Sequence, residues 1–171
     1  MLKNDIKITH FVLIMSILNF LFFHFPFYNF VYNDLNCQTV SGITVIISLI
    51  VLMIVLNAFV FYLFFSISRF VGKPLLVVFF ILNAIAVYFV NTYSVIVDES
   101  MIGNVFNTKY EEASSFFSIK LIVYIILLGV IPSFYIIKVK IITVTLKKFL
   151  TTSSLTLLFI LTLVFVNATN V

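Results

Sequence analysis

The sequence predicts an all-α, polytopic membrane protein with five transmembrane helices and an outward-facing amphipathic interfacial helix between helices three and four. Three observations carry that reading. Of the 171 residues, 63% are hydrophobic and only 9% charged, against about 25% charged in a soluble domain, so too few charges remain to coat a water-facing surface. Apolar stretches near the roughly 20 residues that cross a hydrocarbon core recur along the whole chain. The basic residues cluster in alternate breaks between those stretches.

Helix one covers residues 8–28. Lys3 and Lys7 followed by the apolar run 11–23 look like a secretory leader, but His24-Phe25-Pro26-Phe27-Tyr28 is bulky where a cleavage site needs small residues, so the segment reads as a retained anchor. Helix two covers residues 43–67 and helix three residues 74–97, with Pro74 in its first turn, where no backbone donor is missed. Helix four covers residues 119–137, and Pro132 should kink or end it. Helix five covers residues 149–166, opened by the hydroxyls of Thr151-Thr152-Ser153-Ser154, which can bond to the backbone. Residues 1–171 form a single transmembrane domain. Trp is absent, which leaves Phe and Tyr as the interface anchors.

Charge sets the orientation. Lys3, Lys7, Arg69, Lys73, Lys138, Lys140, Lys147 and Lys148 fall on one side, and Lys109 and Lys120 on the other. Asp34, Asp98, Glu99, Glu111 and Glu112 oppose the basic side, and only Asp5 shares it. Cytoplasmic loops carry the Lys/Arg excess. The sequence therefore places the chain in a bacterial inner membrane with its N-terminus cytoplasmic and its C-terminus periplasmic.

Composition also excludes classes. The net charge of +4 is split among short clusters, which is no nucleic-acid footprint. Cys37 is the one cysteine, so there is no internal disulfide framework, and its plain reading is a small apolar residue. Asn19, Asn57 and Asn83 fall inside helices one, two and three, where a lone amide usually bonds to a neighbouring helix. No Asp, Glu, Lys or Arg lies near the centre of a helix, which argues against an ion transporter or proton pump.

One stretch is not lipid-like. Across residues 98–118, Met101, Ile102, Val105, Phe106, Ala113, Phe116 and Phe117 recur at helical spacing, which predicts an amphipathic helix over about 100–117 at the outer membrane boundary. Asn104, Thr108 and Glu112 stand at i, i+4 and i+8, so they stack on one face with a drift of about 40° per step. An amide, a hydroxyl and a carboxylate in a row suit a headgroup with an amine: the carboxylate takes an ammonium, the other two take phosphate or glycerol oxygens. Glu111 and Ser115 are weaker candidates on neighbouring parts of the face. The plainer alternative is the wet face of an interfacial helix.

The pattern Met101-x2-Asn104-x3-Thr108-x3-Glu112-Ala113, after a third transmembrane helix and before a fourth, resembles the phosphoethanolamine transferases that modify lipid A. The resemblance takes in helix count, topology and loop position, and covers essentially the whole chain. It implies an outward-facing, alkaline-phosphatase-like catalytic domain after helix five, with a Thr nucleophile and zinc. In that scheme phosphoethanolamine passes from phosphatidylethanolamine to the Thr and then to a lipid A phosphate. It implies that Asn104, Thr108 and Glu112 bind the donor lipid.

The chain stops at Val171, where helix five exits, and carries no such domain. His10, His24 and Cys37 have no metal-site spacing, so no catalytic residue and no metal ligand is expected, and no cofactor is expected in this chain; zinc is expected in the missing domain. Alone it is predicted inactive: a fragment, a truncated product, or half of a split protein. Its expected partners are the membrane, phosphatidylethanolamine and, in the full-length enzyme, lipid A, with no nucleic acid. The alternative function is a small polytopic membrane protein with a structural, partner-binding or transport role.

Overall fold

The computed structural model describes residues 5–24, 27–29, 31, 39–93, 118–142 and 144–170. The described residues are mostly helical: α1 Ile8–Phe23, α2 Val40–Ile67, α3 Arg69–Tyr93, α4 Ile119–Lys138 and α5 Leu146–Asn170. Four of them, α2 to α5, are long and apolar enough to cross a membrane; α1 is apolar but has 16 residues. At a rise of about 1.5 Å per residue, α1 spans about 24 Å.

The ends of the helices differ from the sequence reading, for local reasons. α1 was expected to reach residue 28, but it stops at Phe23, and His24 leaves the helical region (φ −97°, ψ 35°). Pro26 follows, and a proline can neither donate to the ladder nor let the residue before it sit comfortably in the α region. A further turn forms at 27–29, where the Phe27 and Tyr28 amides donate to the His24 carbonyl. α2 starts at Val40, three residues before the expected start, because the Thr39 side chain caps it by accepting from the Gly42 amide at 3.1 Å.

α3 begins at Arg69, so Pro74 lies in its second turn and not its first. Ser68 is extended (φ −171°, ψ 150°) and breaks the chain between α2 and α3. Its side-chain oxygen accepts from the Phe70 amide at 3.1 Å, and its carbonyl accepts from Val71 and Gly72 at 3.1 and 2.8 Å.

Pro132 does not end α4. The ladder widens to π geometry over Ile125–Val130, with the Ile131 amide donating to the Ile126 carbonyl. A π-bulge is a common way to carry a helix past an interrupted ladder. The Ser133 hydroxyl then donates to the Gly129 carbonyl at 2.6 Å, satisfying an acceptor in the disturbed turn. α5 starts at Leu146 and not at 149; of the expected run, Thr151 donates to the Lys147 carbonyl at 2.9 Å, while the buried Ser153 hydroxyl has no hydrogen-bond partner among the described residues, and beyond the run Thr156 donates to the Thr152 carbonyl at 2.8 Å.

The all-α expectation needs one correction. Asp5–Lys7 (β1) and Lys140–Ile142 (β2) form a two-stranded parallel ribbon, in register Asp5↔Lys140, Ile6↔Ile141, Lys7↔Ile142. Three-residue strands carry no periodicity that a sequence can reveal, and the pairing joins opposite parts of the chain.

The chain divides into two compact units, Met1–Leu75 with Lys138–Val171, and Leu76–Ile137. In the first, α2 packs against both α1 and α5. α1 turns Phe11, Met15, Asn19 and Phe20 inward at helical spacing, while Leu13, Ile14, Ile17 and Leu21 stay exposed. A helix apolar on all sides has lipid as its solvent. The Lys73 ammonium donates to the Val139 carbonyl at 2.6 Å across 66 residues. With the ribbon, that bond gathers the chain before α1, after α4 and at the start of α3 at one end of the unit, where the basic residues lie.

In the second unit the later turns of α3 run against α4. Gly129 is buried there, and a Cβ on it would lie 3.3 Å from the Ile81 Cα, so the two backbones approach closely. Small residues at such crossings are how membrane helices gain contact without a hydrophobic driving force.

Candidate functional site

The predicted headgroup row Asn104, Thr108 and Glu112, together with Glu111, Ser115 and the interfacial helix, lies outside the described residues, as does Cys37. What the structure does give is the mount on which that segment is carried: the end of α3 at Tyr93 and the start of α4 at Ile119, both in the second unit.

This mount is built from polar groups in an apolar setting. Ser118 sits just before α4 and caps it, accepting from the Leu121 amide at 3.1 Å. The same oxygen pairs with the Tyr88 hydroxyl at 2.8 Å. One turn along from Tyr88, the Asn91 side-chain amide donates to the Tyr124 hydroxyl at 3.5 Å. The Tyr88 and Tyr124 rings meet edge to face with centroids 5.7 Å apart, a favoured aromatic geometry. Tyr88 is 1% exposed. Tyrosines are expected as interface anchors, but Tyr88 is instead a buried tie between α3 and α4.

Tyr88, Asn91, Ser118 and Tyr124 therefore fix the two points where the 94–117 segment leaves and returns. Sequence reasoning missed them as a set. Ser118 before an apolar run carries the signature of an N-cap, but nothing in the sequence names Tyr88 as its partner. Tyr88→Phe removes the bond between the helices while leaving the Ser118 cap intact. It should cost about 1 kcal/mol and lower the thermal midpoint in detergent by roughly 2–4 °C; an unchanged midpoint would show that the bond contributes nothing.

In the first unit a second polar group sits where α1 ends. Asn57 donates to the Met53 carbonyl at 3.0 Å and lies 3.5 Å from His24 Nε2, while His24 Nδ1 lies 3.3 Å from the Asn19 carbonyl. Tyr28 donates to the Phe20 carbonyl at 3.0 Å. The expected amide bridge between helices is thus present at Asn57, with a histidine as its partner. Among the described residues no group of three His, Cys, Asp or Glu could hold a metal ion. His10 and His24 stand 14 positions apart on or beside α1, about 21 Å at helical rise, so these side chains do not fit a zinc centre.

The sequence profile of the phosphoethanolamine transferase EptA/EptB family matches residues 52–171. The chain belongs to this family. It is 33% identical over 127 residues to phosphoethanolamine transferase EptA of Helicobacter pylori (strain ATCC 700392 / 26695), covering 74% of the chain and 23% of that protein. It is 37% identical over 65 residues to phosphatidylethanolamine transferase Mcr-2 of Escherichia coli, covering 38% of the chain and 12% of that protein. Its fold matches the lipooligosaccharide phosphoethanolamine transferase A of Neisseria meningitidis with a TM-score of 0.80 at 20% identity, over 93% of the chain and 30% of that protein.

The chain thus spans less than a quarter of the length of the curated family relatives it matches, and corresponds to the N-terminal membrane domain of phosphoethanolamine transferases. The matched span contains both the Tyr88–Ser118 mount and the Asn104–Glu112 row.

Proposed function

We propose that this chain is the membrane domain of an enzyme that moves phosphoethanolamine from phosphatidylethanolamine to lipid A, and that it anchors the catalytic domain and binds the donor headgroup. The observation that carries the reading is the family match over residues 52–171, which contains the one polar, helix-spaced row in an otherwise apolar chain. Glu112 would pair with the donor ammonium, and Asn104 and Thr108 would take the phosphate and glycerol oxygens, with Glu111 and Ser115 beside them. Charge-assisted bonds of this kind orient a headgroup as well as hold it. Orienting the donor beside a nucleophile lowers a barrier without chemistry from the domain itself.

The nucleophile and the zinc belong, in this reading, to the catalytic domain. The basic end faces the cytoplasm, α1 supplies a fifth crossing of the inner membrane, and the 94–117 segment and the C-terminus face the periplasm, where such a domain would stand.

The chain reconstituted in nanodiscs should bind phosphatidylethanolamine in preference to phosphatidylglycerol by roughly tenfold, the worth of one charge-assisted contact. Glu112→Ala should abolish the preference. Equal binding of the two lipids by the unaltered chain would reduce the row to the wet face of an interfacial helix.

A further inference from the structure

Within the first unit, α1 and α5 flank α2 and leave a cavity of about 370 Å³ between them, lined by residues that include Thr9, Val12, Ala58, Tyr62, Thr152 and Phe159. Its volume lies within the roughly 300–1,000 Å³ of ligand-binding clefts. Its lining is graded along the helices. Thr9 stands in the first turn of α1, Thr152 in the second turn of α5 and Tyr62 in the last turns of α2, with Thr156 one turn beyond Thr152, whereas Val12 and Phe159 lie farther in.

The Tyr62 ring stacks on Phe149 at 4.6 Å. Its hydroxyl is buried and has no hydrogen-bond partner among the described residues, and such a group ordinarily has one.

The polar end of the groove is also the basic end. Lys148 stands four residues before Thr152, hence on the same face of α5, and Lys147 adjoins it. Lys7 precedes Thr9 by two residues. All three lysines are exposed. Of the six acids in the chain, only Asp5 belongs to this side. A basic, hydroxyl-lined mouth above an apolar slot between helices matches an amphiphile with a negative head and an acyl tail.

We propose that this groove holds one anionic phospholipid from the leaflet at the basic end, its acyl chain between α1, α2 and α5 and its phosphate at Lys147 and Lys148. The ester carbonyls of such a lipid are acceptors of the kind the Tyr62 hydroxyl lacks. Its lining includes no residue of the Asn104–Glu112 row, and the proposal does not depend on the headgroup reading above.

The test is native mass spectrometry of the chain released from detergent with added phosphatidylglycerol or phosphatidylcholine. One phosphatidylglycerol should be retained about thirtyfold more than phosphatidylcholine, as expected for two lysines near an anionic group. The double variant Lys147→Gln, Lys148→Gln should lose that preference, and Ala58→Phe should lose retention of either lipid. Equal retention of the two lipids by the unaltered chain, or full retention in Ala58→Phe, would overturn the proposal. Should Ala58→Phe not fold, a phosphatidylglycerol with a photoreactive acyl chain decides on the unaltered chain: labelling concentrated on α1, α2 and α5 at the groove supports the site, and labelling spread evenly over lipid-facing helices overturns it.

Discussion

Glu112→Ala, made in a full-length transferase carrying this membrane domain, is expected to lower phosphoethanolamine transfer about a hundredfold while leaving expression and insertion unchanged. A charge-assisted contact to a desolvated ammonium contributes about 1.5–3 kcal/mol, and at about 1.4 kcal/mol per factor of ten the upper end of that range gives the hundredfold. The loss should exceed that of Asn104→Ala or Thr108→Ala, which remove neutral partners worth about 1 kcal/mol each, or roughly fivefold. Glu112→Gln separates charge from shape, since it keeps an acceptor but loses the ionic component, and it should recover only a small part of the activity. Kinetics on a soluble donor analogue and on phosphatidylethanolamine check the assignment. Near-normal transfer by Glu112→Ala would remove the residue from the donor site.

The second large effect is on stability. Gly72→Ala should cost about 2 kcal/mol, within the range for overpacking a filled site, and lower the thermal midpoint in detergent by roughly 4–8 °C; Gly72→Val should cost more. The Ser68 corner folds the start of α3 back on the end of α2, and the Gly72 amide donates to the Ser68 carbonyl at 2.8 Å. A Cβ on Gly72 would lie 2.6 Å from Phe65 Cδ1, 2.8 Å from Phe65 Cγ and 2.9 Å from the Phe64 carbonyl oxygen. None of these gives way easily. The carbonyl is backbone, and the buried Phe65 ring packs edge to face on Phe11 with centroids 5.8 Å apart. Relief would have to come from opening the α2–α3 corner. An unchanged midpoint for Gly72→Ala would show that the corner yields freely.

These two positions differ in how readable they are. The Asn104–Thr108–Glu112 row is proposed from the sequence alone, because helix periodicity would bring i, i+4 and i+8 to one face and because it is the polar exception in an apolar sequence. Gly72 reads in the sequence only as punctuation before Pro74. Its significance comes from Phe64 and Phe65 standing against it, which follows from the angle at Ser68. Likewise Tyr88 has the composition of an interface anchor, and only the position of Ser118 across the α3–α4 crossing makes it a tie.

By itself, the sequence determined that the chain is a helical membrane protein, roughly where the four long apolar helices run, in which breaks between them its cations cluster, and to which family it belongs. Those properties are local or cumulative: a hydrocarbon core tests each 20-residue stretch separately, and loop charge counts without reference to packing. Only the tertiary structure decided the pairing of Asp5–Lys7 with Lys140–Ile142, the start of α3 at Arg69, the π-widened ladder before Pro132 and the groove between α1, α2 and α5. The ribbon and the groove depend on what a segment meets after the chain has turned back on itself, and no window of sequence contains both partners; the start of α3 and the widened ladder rest on contacts within a few residues, around Ser68 and Gly129, that hydropathy does not carry.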